Sequence, residues 1–120
     1  MKDASEIVDS YYQAFEEKDF DKARSLLNDN FKFKGPMMEF DSADDCIAKM
    51  KECGFEAQHK TIRTVNDGIQ VVKIFDWTVR TPFTGTFRMC ECFQVENEKI
   101  VSADLFFDTA NFPKMNQSAV

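Results

Sequence analysis

The chain has 120 residues, 43% of them hydrophobic and 30% charged, with a mass of 13.9 kDa, which is one domain's worth of globular sequence and leaves no room for a second core. The 21 acids against 15 bases give a net charge of -6 and a pI near 4.7, the wrong sign for a phosphate backbone, so nucleic acid is excluded as a partner. The one compositional oddity is aromatic, with 13 Phe against two Tyr and one Trp.

Asp3 and Glu6 have the spacing of a capping box, and Ile7, Val8, Tyr11, Ala14 and Phe15 recur at helical intervals. This predicts a first helix over about residues 4–17. Asp19 or Asp21 caps a shorter second helix that buries Phe20, Ala23, Leu26 and Leu27 and ends at the turn-prone Asn28-Asp29-Asn30. Phe31 to Lys34 alternates as a short half-buried strand, and Gly35-Pro36 breaks it. Ser42 with Asp45 opens a third helix whose buried stripe is Ala43, Cys46, Ile47, Met50 and Cys53, stopped by Gly54.

Everything after Gly54 is β in character. Turn signals at Asn66-Asp67-Gly68, Thr81 to Gly85 and Glu96-Asn97-Glu98 divide it into four strands, about residues 56–65, 69–80, 85–95 and 99–108. Strands longer than the usual ~5 or 6 residues imply a strongly bent antiparallel meander. The fold class is therefore α+β, three N-terminal helices packed in the concavity of a curved antiparallel sheet. Residues 1–112 are expected to form a single domain, followed by a mobile tail, 113–120.

Other chemistries are excluded by absences. The four glycines, Gly35, Gly54, Gly68 and Gly85, form no phosphate-cradling loop. A single histidine and no C-x-x-C leave no zinc ligand set, and neither local cysteine pair, Cys46 with Cys53 or Cys90 with Cys92, has a spacing that brings its sulfurs together. Reduced thiols, no metal and no cofactor are the reading. No apolar run of about 18 residues exists to cross a membrane. Acids before position 7 argue against a leader, so no membrane partner and a cytoplasmic location are expected.

The register follows from the turns. Pairing Val65 with Ile69, Arg80 with Gly85 and Val95 with Lys99 sorts the side chains into two faces. The expected concave face carries Gln58, Lys60, Ile74, Asp76, Phe87, Met89, Glu91, Phe93, Ala103, Leu105 and Phe107, the wall of a site for a small apolar molecule. The other face carries His59, Phe75, Trp77 and Phe106, the last three read as anchors of a homodimer. Asp76 and Glu91 would then stand roughly 5 to 8 Å apart in an apolar hollow, where desolvation and mutual repulsion raise both pKa values and prepare general acid and base work. Tyr11 can point its hydroxyl into the same hollow. The alternative is that Lys60, on the row of Glu91, neutralises it in a buried ion pair with no catalytic role.

The order helix, helix, short strand, helix, long meander resembles the nuclear transport factor 2-like superfamily, in particular its SnoaL-like members. The stretches that carry the resemblance are Ile7 to Phe15, Asp19 to Ala23, Phe93 to Ile100 and Phe106-Phe107-Asp108. The resemblance implies a cone-shaped fold with a pocket between helices and sheet, and a homodimer through the sheet's outer face. It does not imply one reaction, because the superfamily holds isomerases, cyclases, dehydratases, epoxide hydrolases and members with no catalysis. Tyr11 and Glu91 fall where ketosteroid isomerases place a helix Tyr and a strand acid, whereas Gly35 occupies the position of their base before Pro36. The Asp that limonene epoxide hydrolases carry on the last strand is replaced by Leu105, and Ile74 stands two residues before Asp76, where they need an Arg. The concave positions of the last strand, on which SnoaL-type cyclases rely for ionisable groups, are Val101, Ala103, Leu105 and Phe107. Proton transfer without a cofactor and a non-catalytic dimerisation or ligand-sensing module are the two functional classes that remain.

Overall fold

The structure, a computed structural model, describes residues 2–113; the tail expected at 113–120 lies outside the described residues except for Pro113. Helix α1 spans Ala4–Glu16. It starts with a reciprocal cap, in which the Glu6 N–H donates to Asp3 Oδ1 at 2.9 Å and the Asp3 N–H donates to Glu6 Oε1 at 3.0 Å. Ile7, Val8, Tyr11 and Ala14 form its buried face. Helix α2, Phe20–Ser25, is capped by Asp19, which accepts from the Lys22 N–H at 3.1 Å.

The tripeptide expected to end this helix as a turn lies inside a strand instead. Strand β1 runs Leu27–Lys34 and pairs parallel to the last strand of the chain, Leu27 opposite Ile100 and Lys32 opposite Ser102. Five residues of one strand thus oppose two of the other, and the polar Asn28-Asp29-Asn30 segment forms the bulge between them. Its Asx chemistry is used locally, Asn28 Oδ1 accepting from the Asn30 N–H at 2.9 Å. A two-residue strand that the pattern did not suggest, β2 (Glu39–Phe40), folds back on β1, pairing Phe33 with Phe40. Helix α3, Ala43–Cys53, has Ser42 as its N-cap and Gly54 at φ 65°, the left-handed residue that ends it without a Cβ clash.

Strands β3 (Glu56–Asn66), β4 (Gln70–Thr81), β5 (Gly85–Glu96) and β6 (Lys99–Phe107) make the antiparallel meander. With β1 and β2 it becomes a six-stranded mixed sheet of order β2-β1-β6-β5-β4-β3. The architecture is α+β. The core forms where α1 and α3 meet the sheet, around Phe31, Phe93, Ile7, Leu27 and Ile100, all nearly fully buried. No helix among the described residues is long and apolar enough to cross a membrane.

The register departs from expectation at each turn, with unequal consequences. The β3–β4 turn closes on Asn66 and Val71, and further along His59 pairs with Trp77. This is a two-residue displacement from the expected pairing, which leaves the relative faces of β3 and β4 as read. Asn97 and Glu98 form a two-residue β5–β6 turn with φ of 52° and 61°, the signature of type I′. Beyond a bulge Glu91 there pairs with Leu105 rather than Ala103, again an even shift. At the β4–β5 turn, however, Val79 rather than Arg80 pairs with Gly85. That one-residue slip turns β4 and β3 over with respect to β5 and β6. Val71, Lys73, Phe75 and Val79 are buried under the helices, while Val72, Ile74 and Asp76 face the other way with Gln58 and Lys60.

Candidate functional site

A cavity of about 170 Å³ opens between α1 and the inward face of the sheet. Tyr11, Tyr12, Phe15 and Glu16 line it from α1, Ala57 and His59 from β3, Phe75 and Trp77 from β4, Met89 and Glu91 from β5, and Leu105 and Phe107 from β6. The loop residues Met37 and Met38 close one side. At another side Phe112 stacks on Trp77 with centroids 6.3 Å apart and packs edge-on to Phe83 and Phe87. Gly35, which precedes Pro36, also lines the cavity and brings no titratable group. A second and more open depression runs along Lys34 to Pro36 and Asp104 to Phe107; neither of its charged residues is buried.

Of the residues expected to form the site, Tyr11, Met89, Glu91, Leu105 and Phe107 line the cavity. Phe93 and Ala103 are buried in the core against the helices instead, and Phe87 belongs to the aromatic cluster with Trp77, Phe83 and Phe112. Gln58, Lys60, Ile74 and Asp76 lie on the outer face, a correction that follows from the slip between β4 and β5. Asp76 is not paired with Glu91. Arg88 holds it from the facing strand, Nε donating to Oδ1 at 2.5 Å and Nη2 to Oδ2 at 3.2 Å, and this guanidinium keeps the Asp76 carboxyl below its ordinary range. The same slip brings Phe75 and Trp77, expected on the outer face, into the cavity wall. Phe106 remains outside, 57% exposed.

Glu91 is 7% exposed. Its Oε1 accepts a hydrogen bond from the Tyr12 hydroxyl at 2.7 Å. Burial pushes its pKa up to about 7, and the Tyr12 bond opposes that rise. Among the described residues no cation lies within ion-pair distance of it. Lys73, its cross-strand neighbour, is engaged elsewhere, donating to Thr64 Oγ1 at 3.0 Å and pairing with Asp9 Oδ1 at 2.5 Å. The Tyr11 hydroxyl meets Cys46 Sγ at 4.0 Å. Burial raises both groups, Cys46 to about 12.

One polar seam runs down α1 beside its apolar stripe. Asp9, Tyr12 and Glu16, spaced by three and four residues, face the same way and meet Lys73 on β4, Glu91 on β5 and His59 on β3. Glu16 Oε2 accepts from the His59 backbone N–H at 2.8 Å and from its Nδ1. The Tyr12 ring lies between the two acid–base groups, its centroid 4.9 Å from that of His59 while its hydroxyl reaches Glu91. Sequence reasoning missed Tyr12 and Glu16 and placed His59 on the outer face, from which the slip between β4 and β5 turns it, with its partner Trp77, into the cavity wall. The helical spacing of the seam was visible, but its partners appear only once the strands are in register.

Residues 8–103 match the model of the SnoaL-like domain family. No curated protein matches the chain at the sequence level. Among solved structures, an NTF2-like protein of unknown function from Cytophaga hutchinsonii is similar with a TM-score of 0.78 and 21% identity, over 91% of this chain and 94% of that one. A proposed SnoaL-like polyketide cyclase from Shewanella denitrificans gives 0.80 and 15%, over 87% and 89%. A proposed ketosteroid isomerase from Kribbella flavida gives 0.76 and 13%, over 95% and 84%. At these identities the likeness is one of fold.

Proposed function

Because the chain belongs to the SnoaL-like domain family, we propose that it binds a small, largely apolar ring compound between α1 and the sheet, with Glu91 contacting the compound's oxygen and serving in cofactor-free proton transfer. The observation that carries this reading is a carboxyl group buried in the wall of an apolar cavity, with a tyrosine hydroxyl as its hydrogen-bond partner and no neutralising cation among the described residues. A carboxylic acid kept neutral by its surroundings can donate a hydrogen bond to a carbonyl or hydroxyl oxygen.

Size narrows the ligand. Cavities of about 150 Å³ admit benzene, whereas drug-sized ligands take about 300–1,000 Å³. At about 170 Å³ the space suits one ring and not a fused polycycle. Trp77, the single tryptophan, lines it and reports occupancy. Titration with cyclohex-2-enone is expected to change Trp77 emission saturably, with Glu91→Leu weakening binding roughly tenfold, the worth of one lost hydrogen bond. Absence of saturation with any single-ring compound contradicts the reading. Equal affinity in Glu91→Leu favours the non-catalytic, ligand-sensing class.

We also propose that the outer sheet face joins a second copy of the chain. Phe106, at 57% exposure, and the half-buried Val72, Ile74 and Cys90 support this, the Asp76–Arg88 pair lying beside them. Phe106 keeps the part expected of it, and Ile74 takes the place of Phe75 and Trp77 as an anchor. Light scattering is expected to give a dimer for the wild type and a monomer for Phe106→Glu, and a monomeric wild type contradicts it. A cytoplasmic setting is part of the same proposal and suits four cysteines that stand as free thiols.

A further inference from the structure

His59 is the only histidine of the chain, lines the cavity, and has no part in the hydrogen bond that holds Glu91. Glu16 fixes it twice, through the backbone N–H and through Nδ1. A carboxylate can only accept, so in the neutral ring Nδ1 carries the hydrogen and Nε2 keeps its lone pair. Among the described residues Nε2 has no hydrogen-bond partner. A histidine whose far nitrogen is oriented by a carboxylate is the arrangement of a positioned base.

The base and the acid are spaced by one side chain. Tyr12 packs its ring against His59 with centroids 4.9 Å apart and gives its hydroxyl to Glu91 at 2.7 Å, so the base and the acid flank one tyrosine on the same cavity wall. Phe75 completes the wall between them, its centroid 6.0 Å from that of His59 and 5.3 Å from that of Tyr12. Ala57, Trp77 and Met89 surround this wall with apolar side chains.

We propose that His59, positioned by Glu16, is the base of the site, and that base and acid together enolise a single-ring ketone. His59 Nε2 takes the proton on the carbon beside the carbonyl. The C–H electron pair becomes the C=C bond of the enol, and the carbonyl π pair moves to oxygen, which takes the proton of Glu91. The reverse flow returns a proton to carbon from His59 and to Glu91 from the enol, so no oxidant, metal or co-reactant enters the balance. Glu16 acts through His59 and is a positioning residue.

This inference rests on the ligand reading above, and its test separates the two. Cyclohexanone in D2O, followed by NMR, reports enolisation as deuterium uptake beside the carbonyl, while Trp77 emission reports binding of the same compound. The wild type is expected to accelerate uptake over buffer. At saturation His59→Gln is expected to lower it at least ~100-fold, in the range for loss of a general base. Glu16→Gln is expected to lower it less, to mix the His59 tautomers seen in the ring nitrogen shifts, and to be partly rescued by Glu16→Asp. Because His59 is unique, those shifts need no assignment, and they also show whether each variant that keeps His59 retains a folded site. Saturable binding with no uptake above buffer, or wild-type uptake in His59→Gln, overturns the base and leaves the binding reading standing. No binding of cyclohexanone overturns this inference, and overturns the binding reading too when cyclohex-2-enone and other single-ring compounds also fail to bind.

Discussion

Replacing Glu91 with Gln is expected to make the protein about 3 kcal/mol more stable at pH 8 and to change little at pH 4. In the folded chain the carboxyl titrates near 7, against 4.5 for the free group, because burial disfavours its charged form. A raised folded pKa means a contribution that is fully present below the unfolded value and is lost as pH rises through the folded one. The window is therefore pH 4.5 to about 7, and the gap, at about 1.4 kcal/mol per tenfold change in proton affinity, is about 3 kcal/mol. Gln keeps a carbonyl to accept from Tyr12 and carries no charge to desolvate, so position 91 then adds no pH dependence of its own across this window. Other groups near Glu91 do not blur the result. Tyr11 and Tyr12 on α1 and Cys46 on α3 are pushed upward by burial and keep their protons, and Lys73 on β4 is held by Asp9. Asp3, Asp67 and Asp76 sit below the ordinary carboxylate range and titrate under the window. Urea unfolding at the two pH values checks this, and parallel profiles for the two proteins contradict it.

The pair next to it on the seam is expected to break asymmetrically. The Lys73 side chain is 4% exposed and that of Asp9 58%, so the cost of the pair lies almost wholly in the buried ammonium. Asp9→Asn leaves that ammonium with Thr64 as its hydrogen-bond acceptor and is expected to cost about 2 to 3 kcal/mol, the low side of what breaking a buried pair costs, since water reaches the Asp9 end. Lys73→Met removes the charge and keeps an unbranched apolar stem of similar volume, so it is expected to cost less than about 1 kcal/mol. The double variant should match Lys73→Met, because without the ammonium Asp9 is an ordinary surface carboxylate. Urea midpoints at pH 7 decide the matter. Equal losses for the two single variants contradict the account.

Local chemistry made the elements legible. Asp3, Asp19, Ser42 and Gly54 stop and start the helices where their capping chemistry predicts, and the four long strands lie within a residue or two of their expected bounds. Long-range pairing was not legible. Nothing local marks β1 as the parallel neighbour of β6, and Asn28-Asp29-Asn30 has the composition of a turn although it forms a bulge. Faces hang on loop length. Glu98 adopts φ 61° without being glycine, which sequence alone gives no reason to expect. The error there was even and harmless, whereas the single-residue slip before Gly85 exchanged Asp76 for Phe75 and Trp77 in the cavity wall. One signal in β4 pointed the right way. Val71, Phe75, Trp77 and Val79 form a larger apolar set than Val72, Ile74, Asp76 and Thr78, and the larger set is the one that folding buries.

The phenylalanine surplus is divided by the same geometry. Phe15, Phe20, Phe33, Phe40, Phe55, Phe75, Phe107 and Phe112 line the cavity, Phe31 and Phe93 fill the core beneath the helices, and Phe106 stands on the outer face. Carbon-detected NMR of protein labelled at the Glu carboxyl carbons, titrated with and without cyclohex-2-enone, tests the central claim most directly. The account predicts one glutamate with a midpoint near 7 that shifts when the ring compound fills the cavity and vanishes in Glu91→Gln. A Glu91 midpoint between 4 and 5 that ignores the compound would contradict it.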